Sequence, residues 1–135
     1  MTPFHLDIVT IHGSFYSGEV ESLLVHTDDG DAEILAGHAD FLASVATGRA
    51  RIIEAGGKER FASCSGGFVS VNKKAAKLVC GSFEFSDEID VNRARIAKEK
   101  AEHELESATE KRTITLAKAK LCKANLRINI AENYK

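Results

Sequence analysis

Ser86-Asp87-Glu88-Ile89-Asp90-Val91-Asn92-Arg93-Ala94 divides the sequence into two kinds of chain. All ten glycines and the single proline come before this stretch, the last at Gly81. Residues 87–135 then run on without a glycine or proline. The stretch itself carries helix-start chemistry. Ser86 or Asp87 is placed to act as N-cap, and Glu88 and Asp90 put negative charge on the first turn, where the helix dipole favours it. The expectation is two domains, residues 1–86 and 87–135, with the first all-β and the second all-α.

Upstream of the stretch, the pattern alternates and turns. Phe4, Leu6 and Ile8 share one face of a strand, with His5 and Asp7 on the other. His12-Gly13-Ser14 reads as a turn and Glu19 to Val25 as a second strand. Asp28-Asp29-Gly30-Asp31 reads as a hairpin whose glycine tolerates a positive φ. Ile34-Leu35, Phe41 to Val45, Arg49 to Glu54, Arg60 to Ser63, Phe68 to Val71 and Lys77 to Cys80 continue the series. They are broken at Thr47-Gly48, Ala55-Gly56-Gly57-Lys58, Ser65-Gly66-Gly67 and Asn72-Lys73-Lys74. This spacing suits an antiparallel β-sandwich or barrel, and the lack of intervening helices argues against a parallel α/β fold.

Downstream, Ala94, Ala97, Ala101, Leu105 and Ala108 recur at helical steps. So do Ile114, Ala117, Leu121, Ala124, Ile128 and Ala131. The polar run Thr109 to Thr113 between them predicts the turn of an antiparallel two-helix hairpin. Alanine seams allow close approach but bury little apolar area, so such a hairpin is marginal alone. Its charge is divided. Residues 87–110 carry 4 basic and 8 acidic side chains, and residues 111–135 carry 7 basic and 1 acidic. Exposed pairs between the two would contribute about 0–1 kcal/mol each.

Composition excludes several classes. The net charge of −2 speaks against a general nucleic-acid binder. No apolar run is long enough to span a membrane, and Met1-Thr2-Pro3 leads into a strand pattern with no signal or transit sequence. Cys64, Cys80 and Cys122 lack metal-ligand spacing and read as small buried hydrophobes in a reducing compartment. Asp28, Asp29, Asp31 and Glu33 lack a calcium-loop spacing, and neither Gly56-Gly57 nor Gly66-Gly67 leads into a phosphate loop. The five histidines are scattered and no nucleophile elbow is present, so no catalytic and no metal site is expected. What remains is a β domain with a labile basic helix, suited to binding.

Five strings, in order, resemble the epsilon subunits of bacterial F-type ATP synthases. They are residues 4–10 (Phe-His-Leu-Asp-Ile-Val-Thr), 15–21 (Phe-Tyr-Ser-Gly-Glu-Val-Glu), 34–39 (Ile-Leu-Ala-Gly-His-Ala), 65–69 (Ser-Gly-Gly-Phe-Val) and 89–94 (Ile-Asp-Val-Asn-Arg-Ala). The likeness runs end to end. It implies a sandwich of about ten strands, an α-helical regulatory hairpin, and a non-catalytic central-stalk role coupling ion translocation to ATP synthesis. The partners it implies are the gamma subunit, the membrane rotor ring and an acidic segment of a beta subunit. The place it implies is the cytoplasmic face of the bacterial plasma membrane, peripherally bound. Asp31 would occupy the acidic contact toward the ring, and Gly37 and His38 would lie in a second rotor-facing loop. Ala36 and Asp40 stand where the family usually has proline, which should loosen that loop. A plain turn histidine is the competing account of His38.

The same resemblance makes the hairpin an inhibitor of ATP hydrolysis, with Lys118, Lys120, Lys123 and Arg127 meeting the beta subunit. Those cations suit electrostatic engagement, and a solvated face paired with the acidic first helix is the rival account. No cofactor is required. Ile89-Asp90-Val91-Asn92-Arg93-Ala94 fits the family's ATP motif, with Glu84 upstream and Lys100, Lys123 and Arg127 completing the implied regulatory ATP site. Lys100 and Lys123 replace the arginines of tight binders, which removes bidentate phosphate geometry. Against this stands a plainer account, in which Asp90 and Arg93 serve only the helix start. A free-standing β-sandwich binding module with a helical dimerisation hairpin is the alternative from another class.

Overall fold

The computed structural model describes residues 2–72 and 74–134. Lys73, expected in the turn after Asn72, lies outside the described residues, as do Met1 and Lys135. The chain separates into two compact units, residues 1–85 and 86–135.

The first unit holds β1 (Phe4–Thr10), β2 (Gly13–Thr27), β3 (Gly30–Leu35), β4 (Phe41–Val45), β5 (Gly48–Glu54), β6 (Glu59–Cys64), β7 (Gly67–Val71), β8 (Ala75–Cys80) and β9 (Phe83–Phe85). Among the described residues that makes nine strands rather than about ten. Gly30, at φ 113°, closes the β2–β3 hairpin after Asp28-Asp29, as its position in the sequence predicts. The strand order is β1-β8-β7-β4-β2-β5-β6-β9, with β3 and β1 also paired to β2. Every pairing is antiparallel except β1 with β8, which are parallel. All nine strands feed one core, in which Leu6, Ile8, Leu23, Ile52, Val69 and Leu78 are fully buried.

Two devices fold this path into a sandwich. The first is β2, which at 15 residues is far longer than the expected strand. Its first half pairs with β1 and its second half with β3 and β5, and the register slips between Val20 and Ser22. Such a slip bends a strand and re-aims its side chains. Here it turns Ser22 into the core beside Leu23, where its hydroxyl has no hydrogen-bond partner among the described residues.

The second device is a continuous two-stranded ribbon. The β6–β9 ladder runs from Ala62↔Phe85 to Cys64↔Phe83, and the β7–β8 ladder from Gly67↔Cys80 to Val71↔Ala76. Ser65 N–H donates to Ser82 O (3.0 Å) and Gly81 N–H to Gly66 O (3.3 Å), so the register carries through without a slip. Ser65-Gly66-Gly67, expected as a turn, is therefore a corner in a paired ribbon. Ser65 Oγ stitches it further by accepting from Ser82 N–H at 2.6 Å. Cys64 and Cys80 are buried beside this corner, as expected. A hydrogen bond with the Cys80 thiol, together with burial, holds the Cys64 thiol above its ordinary value, which keeps it protonated and unreactive.

The second unit is the hairpin of α1 (Val91–Ser107) and α2 (Lys111–Asn133). The helix starts later than Ser86 or Asp87. Residues 86–88 form a turn, and Asp90, in an extended conformation, is the N-cap, its Oδ1 accepting from Arg93 N–H at 3.1 Å. Glu88 and Asp90 consequently precede the helix rather than occupying its first turn. A cap of this kind contributes about 1 kcal/mol. The connection is also shorter than the expected 109–113. Only residues 108–110 are non-helical, and Lys111 to Thr113 already belong to α2. Cys122, expected to be buried, is exposed on α2, because it lies off the seam of Ala117 and Ala124. Ala94, Ala101, Ala117, Ala124 and Ala131 are buried as the seams predict, but Ala97 is exposed and Ile130, not Ile128, is the fully buried isoleucine near the end of α2. Ile130 and Ala131 pack with Ile89, and Val91, Leu126 and Tyr134 surround them. The end of α2 thus meets the segment leading into α1, a contact that periodicity within either helix cannot announce.

Candidate functional site

Alanine at the helix contact leaves a shallow groove running along the hairpin. It is lined by Ala97, Lys100, Ala101 and Glu104 on α1 and by Lys120, Lys123, Ala124 and Arg127 on α2, with a volume of about 280 Å³. On each helix the four positions follow i, i+3, i+4, i+7, which is a single helical face. The floor is apolar and thin, and the walls carry four cations and one carboxylate. Lys120 Nζ lies 3.4 Å from Glu104 Oε2. Lys100 and Lys123 are exposed and make no ion pair among the described residues, while Arg127 is half-buried. The groove is therefore an anion site in its charge and a flat-ring site in its floor.

The structure brings together three residues of the expected nucleotide set, Lys100, Lys123 and Arg127. Arg93 stands one turn before Ala97 on the same row of α1, exposed and without an ion pair among the described residues. The rest of the motif has structural work. Ile89 packs on Ile130, Asp90 caps α1, and Ala94 is buried in the helix contact. Glu84 belongs to the sandwich unit, opposite Ser63 in the β6–β9 ladder. Of the expected inhibitory cations, Lys120, Lys123 and Arg127 share the groove face. Lys118 does not, since two residues turn a helix by about 200°. Sequence reasoning named Ala97, Ala101 and Ala124 as seam residues. It did not identify Glu104, although Glu104 follows Lys100 at the i+4 spacing that places it there.

Interhelical ion pairing departs from the segment charges. The short pair, Arg95 to Glu132 at 2.7 Å, takes its cation from the acidic segment and its anion from the basic one. Lys118 and Lys123 make no such pair among the described residues, so much of the basic surface of α2 remains available.

On the sandwich, Asp31 Oδ1 lies 3.0 Å from His26 Nδ1, the residue opposite it in the β2–β3 ladder. Gly37, at φ 77°, takes the left-handed position of a turn closed by His38 N–H donating to Leu35 O at 3.2 Å. His38 Nδ1 donates to Ala39 O at 2.9 Å, and its ring sits 4.9 Å from that of Phe41. Without the two prolines the turn is still closed by its own hydrogen bonds. The loops of Asp31 and His38 follow opposite ends of β3, with Asp31 and Leu35 roughly 13 Å apart along the strand at ~3.3 Å per residue. They do not form one cluster.

A serine–histidine–aspartate trio does occur, on the outer surface of β1 and β2. His5 Nε2 lies 3.1 Å from Asp7 Oδ1 and 3.3 Å from Ser17 Oγ. One ring nitrogen serves both neighbours, whereas a relay needs one nitrogen for each. The arrangement is electrostatic: the Ser17 hydrogen bond, and then His5, hold the Asp7 carboxyl below its usual range. Among the described residues no group of His, Cys, Asp and Glu is placed to hold a metal ion, and no helix is long and apolar enough to cross a membrane.

Two family models tile the chain. The ATP synthase delta/epsilon chain beta-sandwich domain matches residues 3–86, and the delta/epsilon chain long alpha-helix domain matches residues 87–132. The chain is similar to the ATP synthase epsilon chain of Caldanaerobacter subterraneus subsp. tengcongensis, with 34% identity covering 97% of this chain and 95% of that one. It is similar to the epsilon chain of Staphylococcus aureus strain JH9 at 35% identity, covering 98% of each. In fold it is similar to a chain of the Euglena gracilis mitochondrial ATP synthase OSCP/F1/c-ring structure. There the TM-score is 0.78 at 21% identity, over 93% of this chain and 79% of that one. A chain of the Tetrahymena thermophila mitochondrial ATP synthase central stalk and c-ring gives a TM-score of 0.64 at 12% identity, over 96% and 97%. With both domains matched in order and near-complete coverage of bacterial relatives, the chain belongs to the ATP synthase delta/epsilon family.

Proposed function

We propose that this chain is a non-catalytic subunit of the rotor stalk of a bacterial F-type ATP synthase, coupling ion translocation to ATP synthesis and restraining ATP hydrolysis through its helical hairpin. The sandwich holds the stalk, meeting the gamma subunit and the membrane ring through the loops of Asp31 and of Gly37 and His38. The complex sits at the cytoplasmic face of the membrane, with this chain peripheral to it. The hairpin regulates, engaging either an acidic segment of a beta subunit or ATP.

The observation that carries the regulatory part is the groove. Lys120, Lys123 and Arg127 share one face of α2, opposite Lys100. Among the described residues, a small apolar cluster around Ile89, Ile130 and Ala131 and the alanine seam form the buried support of that face. A thinly supported element with exposed cations can exchange one set of partners for another at modest cost. The two anionic partners compete for the same side chains, so bound ATP would withdraw Lys123 and Arg127 from the beta subunit.

Titration of ATP into the isolated chain, followed at the amides of Ile89 to Ala94 and of the groove, tests the nucleotide part. Shifts in the millimolar range are expected, because lysine offers a point charge where arginine offers a fork. The double variant Lys100→Arg with Lys123→Arg should bind ATP about fivefold more tightly, through charge-assisted bidentate contacts. No shift in either protein at millimolar ATP removes ATP from the account and leaves the coupling role standing.

A further inference from the structure

The groove contains one residue that opposes its other charges. Glu104 lies on α1 one turn beyond Lys100, and its Oε2 is 3.4 Å from Lys120 Nζ across the groove. Both side chains are largely solvated, at 62% exposure for Lys120 and 41% for Glu104. An exposed pair of this kind adds little to the hairpin's stability. Its position matters more than its strength, because the carboxylate stands among the cations that an anionic ligand would use.

We propose that Glu104 sets the affinity of the groove for polyphosphate by competing with the ligand for Lys120. The inference rests on the groove being the nucleotide site proposed above. A phosphate chain lodged between Lys100 and Lys123 lies beside a like charge at Glu104. Lys120, three residues before Lys123 on the same face, reaches that chain only by leaving its carboxylate. Glu104 thereby weakens the site twice, by repulsion and by occupying a cation. The consequence is a sensor set for high ligand concentration, releasing its ligand while the same groove without Glu104 would remain filled.

The competing account is that the pair is only a clamp between helices. The two accounts predict opposite patterns. If Glu104 competes, Glu104→Gln should bind ATP about fivefold more tightly than the unaltered chain and Lys120→Gln about fivefold more weakly. Both differences should shrink as salt is raised from low ionic strength toward 0.15 M, since the groups are exposed. If the pair is a clamp, both substitutions break the same contact and shift affinity in the same direction. The experiment is calorimetric titration of ATP into the full-length chain and the two variants, with helicity checked by circular dichroism. Glu104→Lys extends the series, with a larger shift in the direction of Glu104→Gln.

Opposite shifts support the proposal. Shifts of the same sign, or unchanged affinity in Glu104→Gln while the unaltered chain binds, overturn it and leave the nucleotide site intact. Absence of ATP binding in all three proteins overturns the nucleotide site and this inference together.

Discussion

A complex assembled with residues 1–86 in place of the full chain is expected to form normally and to hydrolyse ATP several-fold faster. The expectation follows from how the core is divided. Every buried residue of the sandwich core lies between Phe4 and Phe85, and the hairpin has its own small cluster and seam. Removing residues 87–135 therefore opens no cavity within the sandwich core. The proposed rotor contacts, Asp31, Gly37 and His38, all stay. What is lost is the basic face of α2, with Lys120, Lys123 and Arg127. Assembly is read by co-purification of the truncated chain with the complex, and hydrolysis by phosphate release. An unchanged rate would remove the inhibitory role while sparing the coupling role.

Gly67→Ala is expected to do the reverse, leaving the hairpin's chemistry intact and strongly destabilising the part that holds the stalk. Gly67 begins β7 at the corner of the ribbon, paired with Val45 on one side and Cys80 on the other. A Cβ there would overlap the Val79 carbonyl oxygen and come within 2.7 Å of Cys80 Cα. Both are backbone atoms of a paired strand, so neither can swing aside. Relief requires the ribbon to part where it turns from one layer to the other. Overpacking of this kind costs about 3 kcal/mol, a large share of the 5–15 kcal/mol that stabilises a typical domain. Gly66→Ala is the matched control, because its Cβ would meet Val45 O at 3.3 Å and Thr47 Oγ1 at 4.0 Å, with no overlap. Urea denaturation should show a large fall in midpoint for Gly67→Ala and a small one for Gly66→Ala. Equal midpoints would mean that the corner is more yielding than its contacts imply.

The division of the chain was plain in the sequence because glycine and proline stop at Gly81 and the periodicity changes from two to about 3.6. Strand positions up to Cys80 were equally readable from alternation and turn residues. β9 escaped notice because three residues, Phe83 to Phe85, are too few to show a period. The full length of β2 was hidden by Gly18, and Gly66-Gly67 looked like a turn although they sit in a ribbon corner. Both are cases in which a glycine marks a bend in a strand rather than its end. At the helix start four acids or cap formers stand within five residues, Ser86 to Asp90, and only backbone geometry selects Asp90. Ile130 is buried in place of Ile128 because it packs on Ile89, which precedes α1, and no period within α2 encodes that contact.

The site was half visible. Lys100, Lys123 and Arg127 could be carried over from a motif, and the structure places them in one groove. The composition of segments could not foretell the groove's pairing, since Arg95–Glu132 runs against the segment charges and Lys120–Glu104 runs with them. Which ion pairs form depends on helix rotation, and the alanine seam that sets this rotation carries no charge. Lys118 illustrates the same limit. It is as basic as its neighbours and still points away from the groove face.

The central claim is that one face of α2 serves both ATP and the beta subunit. It is tested most directly by Lys123→Ala combined with Arg127→Ala in the full chain, measuring ATP binding by the isolated chain and ATP hydrolysis by the complex that contains it. The account predicts that the double variant loses ATP binding and also releases hydrolysis to the rate seen with residues 1–86 alone. A variant that no longer binds ATP yet restrains hydrolysis as fully as the unaltered chain would contradict it, because the two partners would then use different faces.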